Sequence, residues 1–543
     1  MGATDRRAIN WATGLLALAM AVMTFTGPRG LLGGDEGVKL IQTFGVLEYG
    51  LDDPRLPYPA GEFDPTERNQ PVVAPHVVIH DGHRYGIYPI TFTAASAVAW
   101  RVGGFWGLHV LPWLGGVLAV LMTMRLALLV TGDRRWAIAA GVAVVVASPV
   151  AIYAALFNEH APAVGLFLAG VVGCATATSR NGQLAAGATL GLAATFRPEL
   201  IAAIPAVAWF VVAYHGASRA TLHRVSWIGL GAGAVLAAFC LYNVATTGAA
   251  LPGVTANRAI NQPRNRMVMM RLLFEPRFHG APPPLVALAL TLAVGALAWW
   301  RRIPRPWLWR AAVVTGALWC WCAAAALARV APGIGPFRTA TGLFSTAPFL
   351  IIAALVGLVP DATTRRRAVA TAGAGWLLTL AVCATSPDGQ AGGLQFGGRH
   401  VLAAVPLLTV AAIAVVRAMP RWTAALAAVP AALAVWATVQ NVRAWHVIAG
   451  HNQALTEAAA RSPSKDLCSN FFWGPEVLAP LWMERRISLA DDMAGPLDRM
   501  RAAGVTEITQ VLGGLEGFAR TGRLAPIETL DAKRNVIRYR IVR

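Results

Sequence analysis

Residues 9–42 read INWATGLLALAMAVMTFTGPRGLLGGDEGVKLIQ. The first half, 9–26, is an apolar run behind Arg6 and Arg7. A run of this length and composition is a membrane-span candidate. No A-x-A site follows it, so it reads as a retained span and not a cleaved leader. Two adjacent acids, Asp35 and Glu36, come directly after. Either they belong to a solvated loop, or they carry chemistry at the membrane face.

The chain around this stretch is 56% hydrophobic and 13% charged. A soluble domain carries about 25% charged residues. Long apolar runs recur, such as GVAVVVASPVAIYAALF (141–157) and AAVPLLTVAAIAVV (403–416). The fold class implied is an all-α polytopic membrane protein with about thirteen transmembrane helices. Spans are expected near 9–26, 107–130, 136–154, 163–178, 183–196, 200–214, 225–247, 284–300, 309–329, 341–359, 367–384, 401–417 and 421–439. The segment 86–100 is too short for a full span and reads as an interfacial or re-entrant helix.

The net charge of +19 would suit nucleic acid. Its distribution excludes that partner. Arginines such as Arg134, Arg135, Arg219, Arg301, Arg302, Arg365, Arg366, Arg367 and Arg417 sit in short links between apolar runs. Such links stay on the cytoplasmic side. The chain is thus expected in a bacterial cytoplasmic (inner) membrane, N-terminus inside. Residues 1–439 form the membrane module, with 27–106 as its first external loop. From about 440 polar helices mix with short β-like runs (TEITQVL, VIRYRIV), which implies a small extracytoplasmic α/β domain over 440–543. The six cysteines show no metal-ligand spacing and read as small hydrophobes.

Five stretches gather ionisable residues on the outer face. In GGDEGVKLIQ, Asp35 could act as a base or hold a metal, and Lys39 lies one helical turn on. Equally, Asp35 could be a plain helix N-cap. In LFNEHAP, Glu159 and His160 stand at a span end, where an acid needs a partner. In FGGRH, glycines precede Arg399 and His400, and Arg is a natural fork for phosphate. In NRAINQPRNRMVMMRLLFEPR, Arg258 and Arg271 are among five arginines that suit a lipid phosphate. PHVVIHDGHRYG offers His76, His80, Asp81 and His83; the spacing fits no standard metal site and equally suits a polar hairpin. The spans themselves hold few ionisable residues, unlike a transporter.

These motifs resemble the GT-C superfamily of integral-membrane glycosyltransferases, near the protein O-mannosyltransferases and lipid A aminoarabinose transferases. GGDEGVKLIQ matches the Asp-Glu pair those families carry in the first external loop. Glu159 stands where they carry a second external acid. GLAATFRPELIAAIP, RTATGLFSTAPFL and GGLQFGGRHVLAAVPLL resemble stretches of uncharacterised bacterial members. Lys39 stands where a Tyr is usual, and Glu159 replaces an Asp. The resemblance implies transfer of a sugar from a polyprenyl-phosphate donor to an extracytoplasmic glycan, lipid or protein, with inversion. Asp35 would be the base, and Glu36 or Glu159 would orient substrate. Lys39, Arg399, His400, Arg258 and Arg271 would meet the donor phosphate. His160 and Asp64 would face acceptor or sugar. No cofactor is required, though a divalent metal is compatible with the acids. Membrane lipid is a further partner. The alternatives are a lipid-linked glycan ligase or polymerase, and a transporter or flippase.

Overall fold

The computed structural model describes residues 3–260, 283–299, 303–328, 342–385, 396, 398–470, 474–490 and 493–542. The protein is a polytopic helical membrane protein with a small α/β sheet near its C-terminus. Six helices among the described residues are long and apolar enough to cross a membrane. They are Thr4–Phe25, Ile90–Thr131, Pro198–His215, Arg219–Thr247, Arg305–Ala325 and Ala362–Thr385. His160–Thr176, Val286–Ala298, Pro348–Leu358 and Ala404–Ala418 are apolar and shorter.

Several runs depart from the spans expected of them. Residues 90–100 do not stand alone; they open one long helix, Ile90–Thr131, broken at Gly104 (φ 53, ψ −138). The run 341–359 is not one α-helix. It is a single turn, Leu343–Thr346, and then a 3-10 run, Pro348–Leu358. Ala347 (φ −135, ψ 64) leaves the helical region, as the residue before a proline tends to do. The run 421–439 breaks into short turns before Ala428–Ala460. Pro430 lies in the first turn of that helix, where a missing N–H costs nothing.

The chain folds as two compact units. The first comprises Met1–Thr26, His109–Phe239 and Asn261–Ala444. Its helices include α1 (Ala3–Phe25) and the later part of α3 (Ile90–Thr131). They continue with α4 (Arg134–Val146), α5 (Val150–Ala155), α6 (His160–Thr176), α7 (Arg180–Phe196), α8 (Ile204–His215) and the earlier part of α9 (Arg219–Thr247). With no strong hydrophobic drive between spans in lipid, close packing decides their contacts. Gly187 and Gly191 on α7 supply it. A Cβ on Gly187 would lie 2.0 Å from the Ile228 carbonyl oxygen of α9, and one on Gly191 2.7 Å from that of Ala232. The other face of α1 is apolar and exposed, with Trp11, Leu15, Leu18 and Val22 in a stripe along it.

The second unit comprises Gly27–Leu108, Cys240–Ile260 and Trp445–Arg543. It holds α2 (Gly34–Tyr49) and the hairpin β1 (Val77–His80) to β2 (His83–Gly86). The hairpin turns on Asp81 (φ 48) and Gly82 (φ 78), the Asp-Gly pair that such a turn favours. The unit also holds the strands β3 (Asp466–Ser469), β4 (Arg486–Leu489), β5 (Glu507–Gln510), β6 (Leu524–Asp531) and β7 (Val536–Ile541). They form one sheet in the order β4-β3-β5-β7-β6. β4, β3 and β5 are parallel, and β5, β7 and β6 antiparallel. The segment 57–69 folds onto this sheet. Phe63 joins the core of Cys468, Met493, Leu497 and Ile508. Asn69 and Leu489 exchange hydrogen bonds of 2.9 and 2.7 Å. Buried Trp482 donates its indole N–H to the Pro57 carbonyl at 2.9 Å.

Candidate functional site

The ionisable residues gather in two places, one in each unit. In the first unit the chain leaves α5 at Leu156 and enters α6 at His160. Glu159 occupies the N-cap position of α6, but its side chain makes no cap bond. It is fully buried and turns to Arg197, whose Nη1 donates to Glu159 Oε1 at 2.7 Å. Arg197 closes α7, ahead of the 3-10 run Pro198–Ala203. Its Nη2 also donates to Glu199. His400 completes the group. Arg399 Nε donates to His400 Nε2 at 3.3 Å. His400 Nδ1 lies 2.8 Å from Glu199 Oε1. Arg197 Nη2 lies 2.8 Å from the same Nδ1.

This arrangement alternates two carboxylates with two guanidiniums around one histidine. Gly398 delivers Arg399 and His400 through a left-handed turn (φ 62) that a larger residue rarely adopts. His160 stacks on Tyr153 with ring centroids 4.8 Å apart, and its Nδ1 meets Asn158 Oδ1. Tyr153 Oη in turn accepts the Phe396 N–H at 3.0 Å. Sequence reasoning missed Arg197 and Glu199. The signal was present in FRPEL: two charges between two short apolar runs, where an apolar hinge would serve if only packing mattered.

In the second unit α2 separates the two adjacent acids. The helix starts after Gly33, the N-cap residue, so Asp35 is not the N-cap. Asp35 lies in the first turn, with its side chain 30% exposed. Glu36 is buried and folds back to accept the Leu32 N–H at 2.5 Å. One free N–H at the helix start is thereby satisfied. Lys39 is buried, its Nζ 4.6 Å from the Tyr88 ring centroid. His76 stands beside Asp35, with Nε2 3.7 Å from Asp35 Oδ1. Its Nδ1 lies 3.1 Å from Oε1 of buried Glu476. Burial pushes the Glu476 carboxyl above the usual carboxylate range. His76 pulls the other way, and the charge of Asp35 adds to the rise.

The remaining candidates lie apart from these groups. Asp64 is buried and binds its own loop, accepting the Asn69 N–H at 2.7 Å and the Tyr58 hydroxyl at 3.1 Å. Arg258 lies on the helix Pro252–Ile260, and Arg271 falls outside the described residues. Among the described residues no group of three or more His, Cys, Asp or Glu is placed to hold a metal ion. His76, His80 and His83 do not converge, because the hairpin carries the latter two on its tip.

No family model and no characterised protein sequence matches the chain. Solved structures resemble it. ArnT from Cupriavidus metallidurans in the apo state is 14% identical, with 99% of this chain and 98% of that chain covered, at a TM-score of 0.47. The same protein bound to undecaprenyl phosphate is 12% identical, with 98% of each chain covered, at a TM-score of 0.47. The archaeal oligosaccharyltransferase AglB from Archaeoglobus fulgidus, in complex with an inhibitory peptide and a dolichol-phosphate, is 12% identical. There 95% of this chain and 70% of that chain are covered, at a TM-score of 0.45.

Proposed function

We propose that the protein is a membrane glycosyltransferase. It moves a sugar from a polyprenyl-phosphate donor to a hydroxyl of an extracytoplasmic glycan, lipid or protein, with inversion. The observation that carries the reading is the division of labour within the Asp35–Glu36 pair. Glu36 is consumed by the start of α2, whereas Asp35 keeps an exposed face and a histidine beside it. A carboxylate held this way can take the proton of a hydroxyl as its oxygen attacks carbon.

The donor phosphate calls for fixed positive charge and for donors that strengthen as charge grows on the leaving group. The resemblance to GT-C glycosyltransferases assigns that part to Arg399 and His400, with Lys39, Arg258 and Arg271 as further cations. The sequence resemblance of GGDEGVKLIQ to GT-C glycosyltransferases supports the same class of reaction. The reaction would take place at the outer face of the cytoplasmic membrane, with 440–543 outside.

The test is mass spectrometry of lipids and products after purified protein meets a pool of polyprenyl-phosphate sugars. Consumption of one donor, with release of polyprenyl phosphate and a glycosylated product, is the expected result. Untouched donors, with no polyprenyl lipid co-purifying, would overturn the reading and favour a transporter.

A further inference from the structure

We propose that His76 and Glu476 form a proton relay behind Asp35, so that the C-terminal sheet domain supplies a positioning residue for the reaction. The proposal rests on the reading of Asp35 as the general base.

Two independent observations carry it. The first is the line of three side chains: Glu476 Oε1 to His76 Nδ1 at 3.1 Å, then His76 Nε2 to Asp35 Oδ1 at 3.7 Å. The second is how tightly the domain is pressed to that line. Glu476 lies on the short helix Gly474–Val477, just past the end of β3. The first turn of α2 meets it with two glycines. A Cβ on Gly37 would lie 1.9 Å from the Glu476 carbonyl oxygen, and one on Gly34 1.9 Å from Glu476 Oε2. Any side chain there would push Glu476 away from His76. Glu476 Oε2 has no hydrogen-bond partner among the described residues, although the side chain is 1% exposed. A buried acid held at this cost, with one oxygen on one histidine, is poorly explained by packing alone.

The chemistry follows from the tautomer. Glu476 draws the imidazole proton to Nδ1, which leaves the Nε2 lone pair facing Asp35. When the acceptor oxygen bonds to the sugar carbon, the bond from that carbon to the phosphate oxygen breaks. The acceptor proton passes to Asp35 and then to His76 Nε2. Glu476 stabilises the imidazolium, and water later takes the proton. The 3.7 Å gap closes to hydrogen-bond range once an acceptor is bound, as catalytic contacts often do. Besides Asp35 and Glu476, His76 faces the Tyr88 ring at 6.2 Å, over which Lys39 lies.

The experiment compares the pH profile of transfer in wild type, Glu476→Gln and Glu476→Asp. Loss of the carboxylate makes His76 less basic. The acid limb of the Glu476→Gln profile therefore moves to lower pH. Its kcat falls by roughly tenfold or more while KM for the donor holds, short of the about 10²–10⁴ that losing a base costs. Glu476→Asp recovers part of both. An active Glu476→Gln with the wild-type limb and kcat would overturn the relay and leave the transferase reading intact. No transfer by wild type would remove the reading itself. Nitrogen NMR of His76 in the wild type decides the matter if the variants do not fold: an Nδ1–H tautomer is expected, and an Nε2–H tautomer would overturn the relay.

Discussion

Asp35 and Glu36 are adjacent acids of one helix turn, yet Glu36 is buried on a backbone N–H and Asp35 stays partly exposed beside His76. The sequence shows both residues and cannot show that difference, because it depends on where α2 begins. Glu476 was equally hidden. Nothing in GPEVLAP marks an acid that reaches a histidine 400 residues away. Its raised carboxyl gives a stability prediction with a definite sign. A carboxyl raised in the folded state holds its proton more tightly there than in the unfolded chain. Ionising it on folding is penalised above the folded value, and the penalty vanishes below the ordinary value. Glu476→Gln removes the penalty and keeps an acceptor for His76. Thermal unfolding in detergent is expected to show the variant at least as stable as wild type at about pH 8, above the ordinary carboxylate range. That advantage should shrink as pH falls toward that range. An advantage that grows on acidification would contradict the assignment.

At the scale of elements, two junctions hold the candidate residues in place. The α7–α8 junction is a helix end, a proline and a 3-10 run, and it delivers Arg197 and Glu199 to Glu159 and His400. The apolar periodicity on either side was legible. The ion pair across it was not, since Glu159 and Arg197 lie 38 residues apart. Removing one member of a buried pair strands the other charge and costs about 3–5 kcal/mol. Arg197→Ala should therefore lower the yield of folded protein sharply, with Glu159→Gln in the same chain restoring part of it. Size-exclusion of detergent-solubilised protein measures both. The second junction is α2 against the helix Gly474–Val477. Gly37→Ala places a methyl on the Glu476 carbonyl oxygen, which cannot move without the helix Gly474–Val477. Limited proteolysis should show the tail of Gly37→Ala cleaved far faster than that of wild type. Equal rates would show that the contact yields easily.

At the scale of the whole molecule, composition and apolar runs were enough to reveal a polytopic helical protein ending in a small α/β fold. They overstated the regularity of the spans. The 3-10 run Pro348–Leu358 and the break at Gly104 both come from backbone preferences at single residues, which hydropathy averages away. Gly187 and Gly191 lie in an alanine- and glycine-rich run, and only the approach of α9 sets them apart. Orientation follows from the arginine-rich links, which should lie in the cytoplasm. A cysteine placed at Arg134 or Arg366 should react with a membrane-impermeant thiol reagent only after the inner membrane is opened. One at Lys533 should react in intact spheroplasts. The reverse pattern would invert the topology and remove Asp35 from the outer face.

The most direct measurement of the central claim is single-turnover transfer by folded wild type, Asp35→Asn and Glu36→Gln with the consumed donor. The account predicts that Asp35→Asn loses at least about 10²-fold in rate, the cost of a missing base. It predicts that Glu36→Gln, which keeps an acceptor for the Leu32 N–H, stays within about tenfold of wild type. A full rate from Asp35→Asn would contradict it.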